Sequence, residues 1–318
     1  MSEITHDWRY RGLRAVVLQN EHLRVSVFPE AGAKIFDIVH VPSRTNVLWH
    51  NPRVRLRSVP FGSRFDDVWA GGWDEVFPND QESTVGGERF PDMGEVWSLP
   101  WEYETEERDG SASVTTTVTT PISPARFSRK LTLGKGTSAL TLDYEIENLS
   151  GDEMKFIWKI HAAFAINDSC SILARPKRVI VDPRFRNLFE EDDYKWPIAT
   201  MKGGKRRDMS RVRTGDHDCT CQYLTELEDG TVIFRDELNG IESRLTIPRV
   251  LDNVWLFLAY GGWRGHQVAA IEPSTGYPHD LAEAIRQGHC ATLSGNSKLA
   301  ARVEFSVHSI SNDPKSKL

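Results

Sequence analysis

Alternation of apolar and polar residues is the dominant pattern of this chain. Residues 23–28, 34–40, 111–120, 140–148 and 300–308 alternate in this way or carry extended runs of Val and Thr. A period of two places one face of a strand on a core and the other in water, so these segments predict β-strands. Turn clusters separate them, and those at 228–230 and 238–240 predict hairpin loops around a short strand at 231–235.

Helix signals are scarce. The best one covers residues 280–287, where Asp280 can cap the first turn and Gly288 can end the last. Residues 185–209 are charged and irregular, and they predict a long excursion between strands. Many short strands with few helices indicate an all-β sandwich or barrel, and we expect one large antiparallel β domain over residues 1–318.

Composition narrows the class of protein. The chain has 318 residues, 39% of them hydrophobic and 26% charged, which is typical of a soluble globular protein. A net charge of −6 argues against nucleic acid or an anionic membrane as a partner. No apolar run of about 18 residues predicts a membrane span, and residues 1–8 lack a signal-peptide pattern. These features predict a cytoplasmic protein.

The four cysteines, Cys170, Cys219, Cys221 and Cys290, do not suggest a disulfide framework in a chain of this length. Cys219 and Cys221 are better explained as alternating strand residues than as a metal or redox site, because no CxxC or histidine cluster accompanies them. We therefore expect no metal and no cofactor.

The segment 71–101 is unusually rich in tryptophan, carboxylates and turn residues, with neither strand alternation nor a helical stripe. Aromatic faces stack on the C–H face of a sugar ring, and carboxylates accept hydrogen bonds from its hydroxyls. This composition therefore favours a carbohydrate site. The alternative is a loop whose tryptophans cap a hydrophobic core.

Two other segments carry polar residues in apolar surroundings. Lys159 and His161 interrupt an apolar run and, as residues i and i+2 of a strand, would face the same side. Glu272 ends a hydrophobic strand just before a Pro/Gly turn. For both segments two explanations remain open: the polar groups are paired within the protein and have a structural role, or they have a functional role.

Together these segments resemble the aldose 1-epimerase (galactose mutarotase) superfamily. The matching pieces are Gly-Gly-Trp-Asp-Glu-Val-Phe-Pro-Asn at 71–79, Pro-Asp-Met-Gly-Glu-Val-Trp-Ser at 91–98, the strand with His161, and Ile-Glu-Pro-Ser-Thr-Gly at 271–276. The resemblance implies a β-supersandwich with a sugar in an open groove, and cofactor-free ring opening. It assigns Glu272 as the catalytic base and His161 as the acid.

The resemblance also implies a set of groove-lining residues. Met93 stands where relatives commonly carry a histidine, and a thioether offers no hydrogen-bond donor. Glu75 and Asn79 would bind sugar hydroxyls or hold the loop together, and Arg64, Lys159, Arg175 and Arg264 would suit an anionic sugar if they converge. The expected substrate-binding residues are Trp73, Glu75, Asn79, Asp92, Met93, Glu95, Trp97, Lys159, Arg64 and Trp263.

The expected function is a mutarotase that interconverts the anomers of a hexose or of an acidic or modified sugar. The alternatives are a non-catalytic sugar-binding protein, which the methionine at position 93 favours, and a lyase or epimerase on the same scaffold. The expected partner is a small-molecule sugar, and the chain would be a monomer or a homodimer.

Overall fold

The structure is a computed structural model that describes residues 2–310. The strands, in chain order, are β1 (Glu3–Tyr10), β2 (Leu13–Gln19), β3 (Leu23–Phe28), β4 (Lys34–His40), β5 (Thr45–Asn46), β6 (Trp73–Val76), β7 (Ser83–Val85), β8 (Glu88–Phe90), β9 (Glu102–Arg108), β10 (Ser111–Thr119), β11 (Ala125–Leu133), β12 (Ala139–Asn148), β13 (Met154–Phe156), β14 (Lys159–Ala165), β15 (Cys170–Val181), β16 (Asp193–Tyr194), β17 (Ile198–Thr200), β18 (Arg206–Asp208), β19 (Cys219–Asp236), β20 (Ile241–Thr246), β21 (Asn253–Tyr260), β22 (Gln267–Ser274), β23 (Ala291–Leu293) and β24 (Lys298–Ser309). The helices are α1 (Phe65–Val68) and α2 (Leu281–Gln287), with short 3₁₀ helices at Pro29–Ala31, Val96–Ser98, Pro183–Leu188 and Arg249–Leu251.

Antiparallel pairing joins most of these strands into two connected halves. One half runs β1, β2, β3, β4, β6, β14, β22, β21 and β19. The other runs β19, β20, β24, β12, β11, β10 and β9. The 18-residue strand β19 belongs to both halves: its first part pairs with β21 and its last part with β20. This is the antiparallel β-supersandwich that the resemblance implies.

The main core lies between the two halves. The Trp73 ring meets Phe305 edge to face at 5.7 Å, and the Phe164 ring lies 4.9 Å from Phe234. Each pair joins a strand of the first half to a strand of the second. The opposite face of β14, β22, β21 and β19 is left for other elements to cover, and the candidate site lies there.

The predicted strands are confirmed, and so is the helix. Asp280 accepts a hydrogen bond from the Glu283 N–H, and Gly288 ends α2 in the left-handed region at φ 70°. The turn at 238–240 joins β19 to β20 as a hairpin.

The hairpin predicted at 228–230 is wrong, because β19 continues through it. Its partner β15 pairs Pro176 with Leu227 but Ala174 with Val232, so the residues between bulge out of the ladder. Pro176 has no N–H to donate, which favours a bulge at this point. Residues 185–209 do form an excursion, although it includes the short strands β16, β17 and β18.

The four cysteines are free, and Cys219 and Cys221 alternate along β19 as predicted. Within residues 2–310, no helix is long and apolar enough to cross a membrane.

Candidate active site

Strand parity places the catalytic candidates side by side. On β14, Ile160 and Ala162 face the main core, so Lys159 and His161 face the other side. The register that pairs Lys159 with Ser274 and Ala162 with Ile271 brings His161 next to Glu272 on β22. The His161 Nε2 atom lies 3.6 Å from Glu272 Oε1. Two residues remote in sequence therefore meet through simple cross-strand pairing.

The neighbouring strands add an aromatic floor. Trp255 of β21 is the cross-strand partner of Glu272, and Phe257 follows two residues later on the same face. Cys221 of β19 is opposite Phe257. All of them line one cavity with His161 and Glu272.

The loop after β6 forms the wall opposite. Met93 donates its backbone N–H to the Asp80 carbonyl at 2.5 Å, which folds residues 91–94 back onto the end of β6. Gly94, at φ 72°, permits this close approach, since a Cβ there would lie 2.3 Å from the Phe77 carbonyl oxygen. Asp80, Asp92 and Met93 consequently reach the cavity.

The cavity has a volume of about 250 Å³. It is smaller than typical drug-sized sites, so it suits a single sugar ring better than an oligosaccharide. Its lining residues are Phe65, Asp66, Trp69, Asp80, Gln81, Asp92, Met93, Lys159, His161, Arg184, Phe185, Cys221, Trp255, Phe257, Trp263 and Glu272. A larger depression of about 440 Å³ near Lys177 and Arg249 has only exposed or half-buried charged residues, and we assign the site to the smaller cavity.

A buried ion-pair network forms the base of the cavity. The Lys159 ammonium pairs with the Asp80 carboxylate and lies 2.6 Å from Glu272 Oε2. All three side chains are buried. Burial opposes the charge on Lys159, but the two carboxylates outweigh it and raise its pKa to about 12. Burial raises the pKa of Glu272, while Lys159 works in the opposite direction.

His161 is neutral in this environment. Burial, and then the positive charge of Lys159, lower its pKa from 6.5 to about 3. Phe65 and Trp69 meet its ring edge to face at 5.3 and 5.1 Å, which fixes the plane of the imidazole. The neutral ring carries a single N–H.

Apart from Glu272 Oε2, which contacts the Lys159 ammonium, two buried polar atoms of the lining have no hydrogen-bond partner within residues 2–310. They are Nδ1 of His161 and Nε1 of Trp69. Buried polar groups are nearly always hydrogen-bonded, so atoms of this kind at a cavity indicate that a ligand or water completes them. The arrangement is suited to binding a molecule rich in hydroxyl groups.

Six of the predicted site residues are brought together at the cavity. They are Asp92, Met93, Lys159, His161, Trp263 and Glu272. The Asp92 carboxylate accepts a hydrogen bond from the Phe65 N–H at 2.9 Å, and burial raises its pKa. Trp263 lies at the rim and is 38% exposed.

Trp73 and Glu75 lie on the opposite face of β6, inside the main core. Glu75 accepts hydrogen bonds from Arg129 at 3.0 Å, from Tyr144 at 2.9 Å and from the indole N–H groups of Trp73 and Trp158, each at 3.2 Å. The hydrogen-bonding capacity of this carboxylate is therefore taken up by groups of the protein itself. The residues of β6 on the cavity side are Asp74, which pairs with Lys34, and Val76.

The other four predicted binding residues do not line the cavity, and three of them, Asn79, Glu95 and Trp97, support the loops. The Asn79 side-chain amide donates to the carbonyls of Gln81 and Pro91, and Glu95 accepts from the Ile122 and Ser123 N–H groups. The Trp97 ring packs against the Phe65 ring, with the two ring centroids 5.0 Å apart. Arg64 is exposed at the start of α1.

Several lining residues were not among the predicted ones. Asp80 directly follows the 71–79 motif, and its position beside Lys159 depends on tertiary structure. Trp255 and Phe257 read in the sequence as ordinary strand aromatics. Arg184 belongs to the excursion after β15, where it forms a two-bond pair with Asp182 at 3.0 and 2.8 Å. The sequence around Trp255 is a continuous apolar run, which gives no sign of the face that lines the cavity.

The residues that line the cavity carry more negative than positive charges. Four carboxylates, from Asp66, Asp80, Asp92 and Glu272, stand against two cations, Lys159 and Arg184. Both cations are already ion-paired within the protein. Arg264 pairs with Asp67 at the rim, and Arg175 is not in the lining. No group of three or more His, Cys, Asp and Glu residues within 2–310 is arranged to hold a metal ion.

Comparison with solved structures supports the fold. A galactose mutarotase-like protein from Clostridium acetobutylicum is 13% identical, with a TM-score of 0.71 over 97% of this chain and 99% of that chain. A galactose mutarotase related enzyme from Lactobacillus acidophilus is 16% identical, with a TM-score of 0.64 over 94% and 98%. The Slr1438 protein from Synechocystis sp. PCC 6803 is 15% identical, with a TM-score of 0.69 over 96% and 98%.

No family model matches the chain, and no curated protein does. At these identities the structural matches show the fold alone. The chain has the galactose mutarotase-like fold that its motifs predicted.

Proposed function

We propose that this protein is a mutarotase that interconverts the α and β anomers of a neutral hexose. The observation that carries the proposal is the juxtaposition of Glu272 and His161 at 3.6 Å in a buried, aromatic cavity of single-ring size. Ring opening of a sugar needs a base at the anomeric hydroxyl and a proton donor at the ring oxygen. Glu272 and His161, side by side, provide a base and a proton donor.

In the proposed reaction Glu272, held ionised by Lys159, takes the proton of the anomeric hydroxyl. The C1–O5 bond breaks and the aldehyde forms. His161 donates its ring N–H to the ring oxygen, where negative charge develops; a neutral imidazole is known to serve as such a donor in other isomerases. After the aldehyde carbon turns, closure from the other face reverses the proton transfers and gives the second anomer.

The charge of the site supports a neutral substrate over an anionic one. Both lining cations are paired with carboxylates, Asp92 has no ion pair within residues 2–310, and Asp66 is matched only by the exposed Arg264, at 3.8 Å. A uronate or sugar phosphate would meet like charges there. Carboxylates of this kind are good acceptors for sugar hydroxyls.

Anomer exchange measured by NMR magnetisation transfer tests the proposal. Equilibrated glucose, galactose, glucuronic acid and glucose 6-phosphate would each be mixed with catalytic amounts of protein. We expect faster exchange for a neutral hexose and a loss of about 10²–10⁴-fold in Glu272→Gln. Glu145→Gln is the matched control, because it removes a strand glutamate that pairs with a lysine, Lys298, outside the cavity.

The second candidate is a non-catalytic sugar-binding protein. Met93 favours it, because this side chain lines the cavity where relatives commonly carry a histidine. Detectable sugar binding with no accelerated exchange across the panel would support this function and contradict the mutarotase.

A further inference from the structure

Lys159 occupies an unusual place for a charged side chain. It is 3% exposed, its ammonium bridges Asp80 and Glu272, and it lies 4.3 Å from the centre of the Trp255 ring. Two carboxylates and a ring face take up most of the contacts that an ammonium can make. Little of the group is left to bind a sugar hydroxyl.

The surroundings of Lys159 determine what it can influence. Asp80 approaches from the loop after β6, Glu272 from β22, His161 from its own strand and Trp255 from β21. Cys221 of β19 and Arg184, which pairs with Asp182, also line this cavity. Asp74 of β6 is the cross-strand partner of His161, and it pairs with Lys34 of β4. Lys159 is the only cation among these that contacts Glu272 within the described residues.

A buried carboxylate without a cation favours its protonated form, and a base must be deprotonated to act. Asp80, a second carboxylate in the same cavity, adds to this tendency. Lys159 opposes both. The same positive charge disfavours a proton on His161.

We propose that Lys159 is a positioning residue that sets both protonation states of the catalytic pair, holding Glu272 ionised and His161 neutral, without transferring a proton itself. This inference rests on the proposed function. With a pKa of about 12, Lys159 would release a proton too reluctantly to act as the acid near neutral pH.

The pH profile of exchange tests this role. In Lys159→Met we expect the acidic limb of kcat/KM to move up by about 1–3 pH units, with much of the activity regained at high pH. Lys34→Met is the matched control: it also removes a buried lysine from a Lys–Asp pair beside β14, but it does not contact Glu272. Its acidic limb should stay in place even if the protein is less stable.

Two further variants separate charge from packing. Asp80→Asn keeps Lys159 and removes the competing carboxylate, so its acidic limb should move down. Lys159→Arg keeps the positive charge and should restore the limb toward its wild-type position. A limb that stays in place in both Lys159→Met and Asp80→Asn, with only the plateau reduced, would overturn the proposal.

Direct titration distinguishes this inference from the proposed function. With ¹³C-labelled glutamate, the Glu272 carboxyl signal can be assigned by its absence in Glu272→Gln. Its pKa should rise in Lys159→Met whether or not any sugar turns over. An unchanged pKa would refute the role of Lys159, whereas a raised pKa in a protein with no exchange activity would refute only the mutarotase.

Discussion

Glu75 offers a sharp test of the difference between a site residue and a structural one. It is fully buried, and its carboxylate pairs with Arg129, which is 1% exposed, at 3.0 Å. Glu75→Gln preserves the volume but removes the charge, and it turns one acceptor oxygen into a donor that faces an indole N–H group, that of Trp73 or that of Trp158. Breaking a buried ion pair by removing one partner costs about 3–5 kcal/mol. That is a large part of the roughly 5–15 kcal/mol that stabilises a typical protein.

The assay is urea unfolding at pH 7, in parallel with sugar exchange kinetics. We expect the free energy of unfolding to fall by about 3–5 kcal/mol, while the folded variant keeps the KM for sugar. Glu145→Gln, which breaks an exposed pair with Lys298, should change stability by less than about 1 kcal/mol. The double variant Glu75→Gln with Arg129→Met should regain part of the loss, because no buried charge is then left unpaired.

The reasoning would be refuted by a loss below about 1 kcal/mol, or by a raised KM in a variant of normal stability. The first result would mean that water or other groups replace the carboxylate at little cost. The second would return Glu75 to the binding site that the motif suggested.

Two further predictions concern residues of the cavity. Burial lowers the pKa of His161 from 6.5 to about 3, so the unfolded chain binds this proton more tightly and stability falls as the pH drops from about 6.5 toward 3. At pH 5 this loss of stability is about 2 kcal/mol. Urea unfolding at pH 7 and pH 5 should show the loss in the wild type but not in His161→Gln. An equal pH dependence of stability in both proteins would contradict the prediction. Trp263→Ala should raise the KM about fivefold with kcat unchanged, since a lost stacking contact is worth about 1 kcal/mol, and exchange rates that do not depend on this change would exclude Trp263 from the binding surface.

The parity of β6 explains why part of the site could not be predicted. Strands with one wet face show alternation, but all four residues of β6 are buried. The sequence of this strand therefore carries no sign of which positions face the core and which face the cavity. Trp73 and Glu75 were predicted to bind sugar because of their residue types, whereas the register places Asp74 and Val76 on the cavity side.

Lys159, His161 and Glu272 could be predicted because charged or titratable residues are rare in apolar strands and need partners. The strands that alternate, such as β12, could also be predicted within a residue or two. Asp80, Arg184 and Trp255 could not, because each is an ordinary residue in its local sequence. Only the pairing of distant strands and the folding of loops bring them to the same cavity.

The strand β19 has a consequence for how the protein holds its site together. The strand β19 carries Cys221 under the cavity and, beyond its bulge, Phe234 in the main core. Proteins often place their binding sites in segments that open and close separately from the rest. Here strand β19 belongs both to the floor of the cavity and to the interior of the sandwich, so local unfolding of one region would disturb the packing of the other. We infer that the floor of the cavity is lost only in global unfolding, and that adaptation to a ligand is left to the loops around Met93 and Trp263.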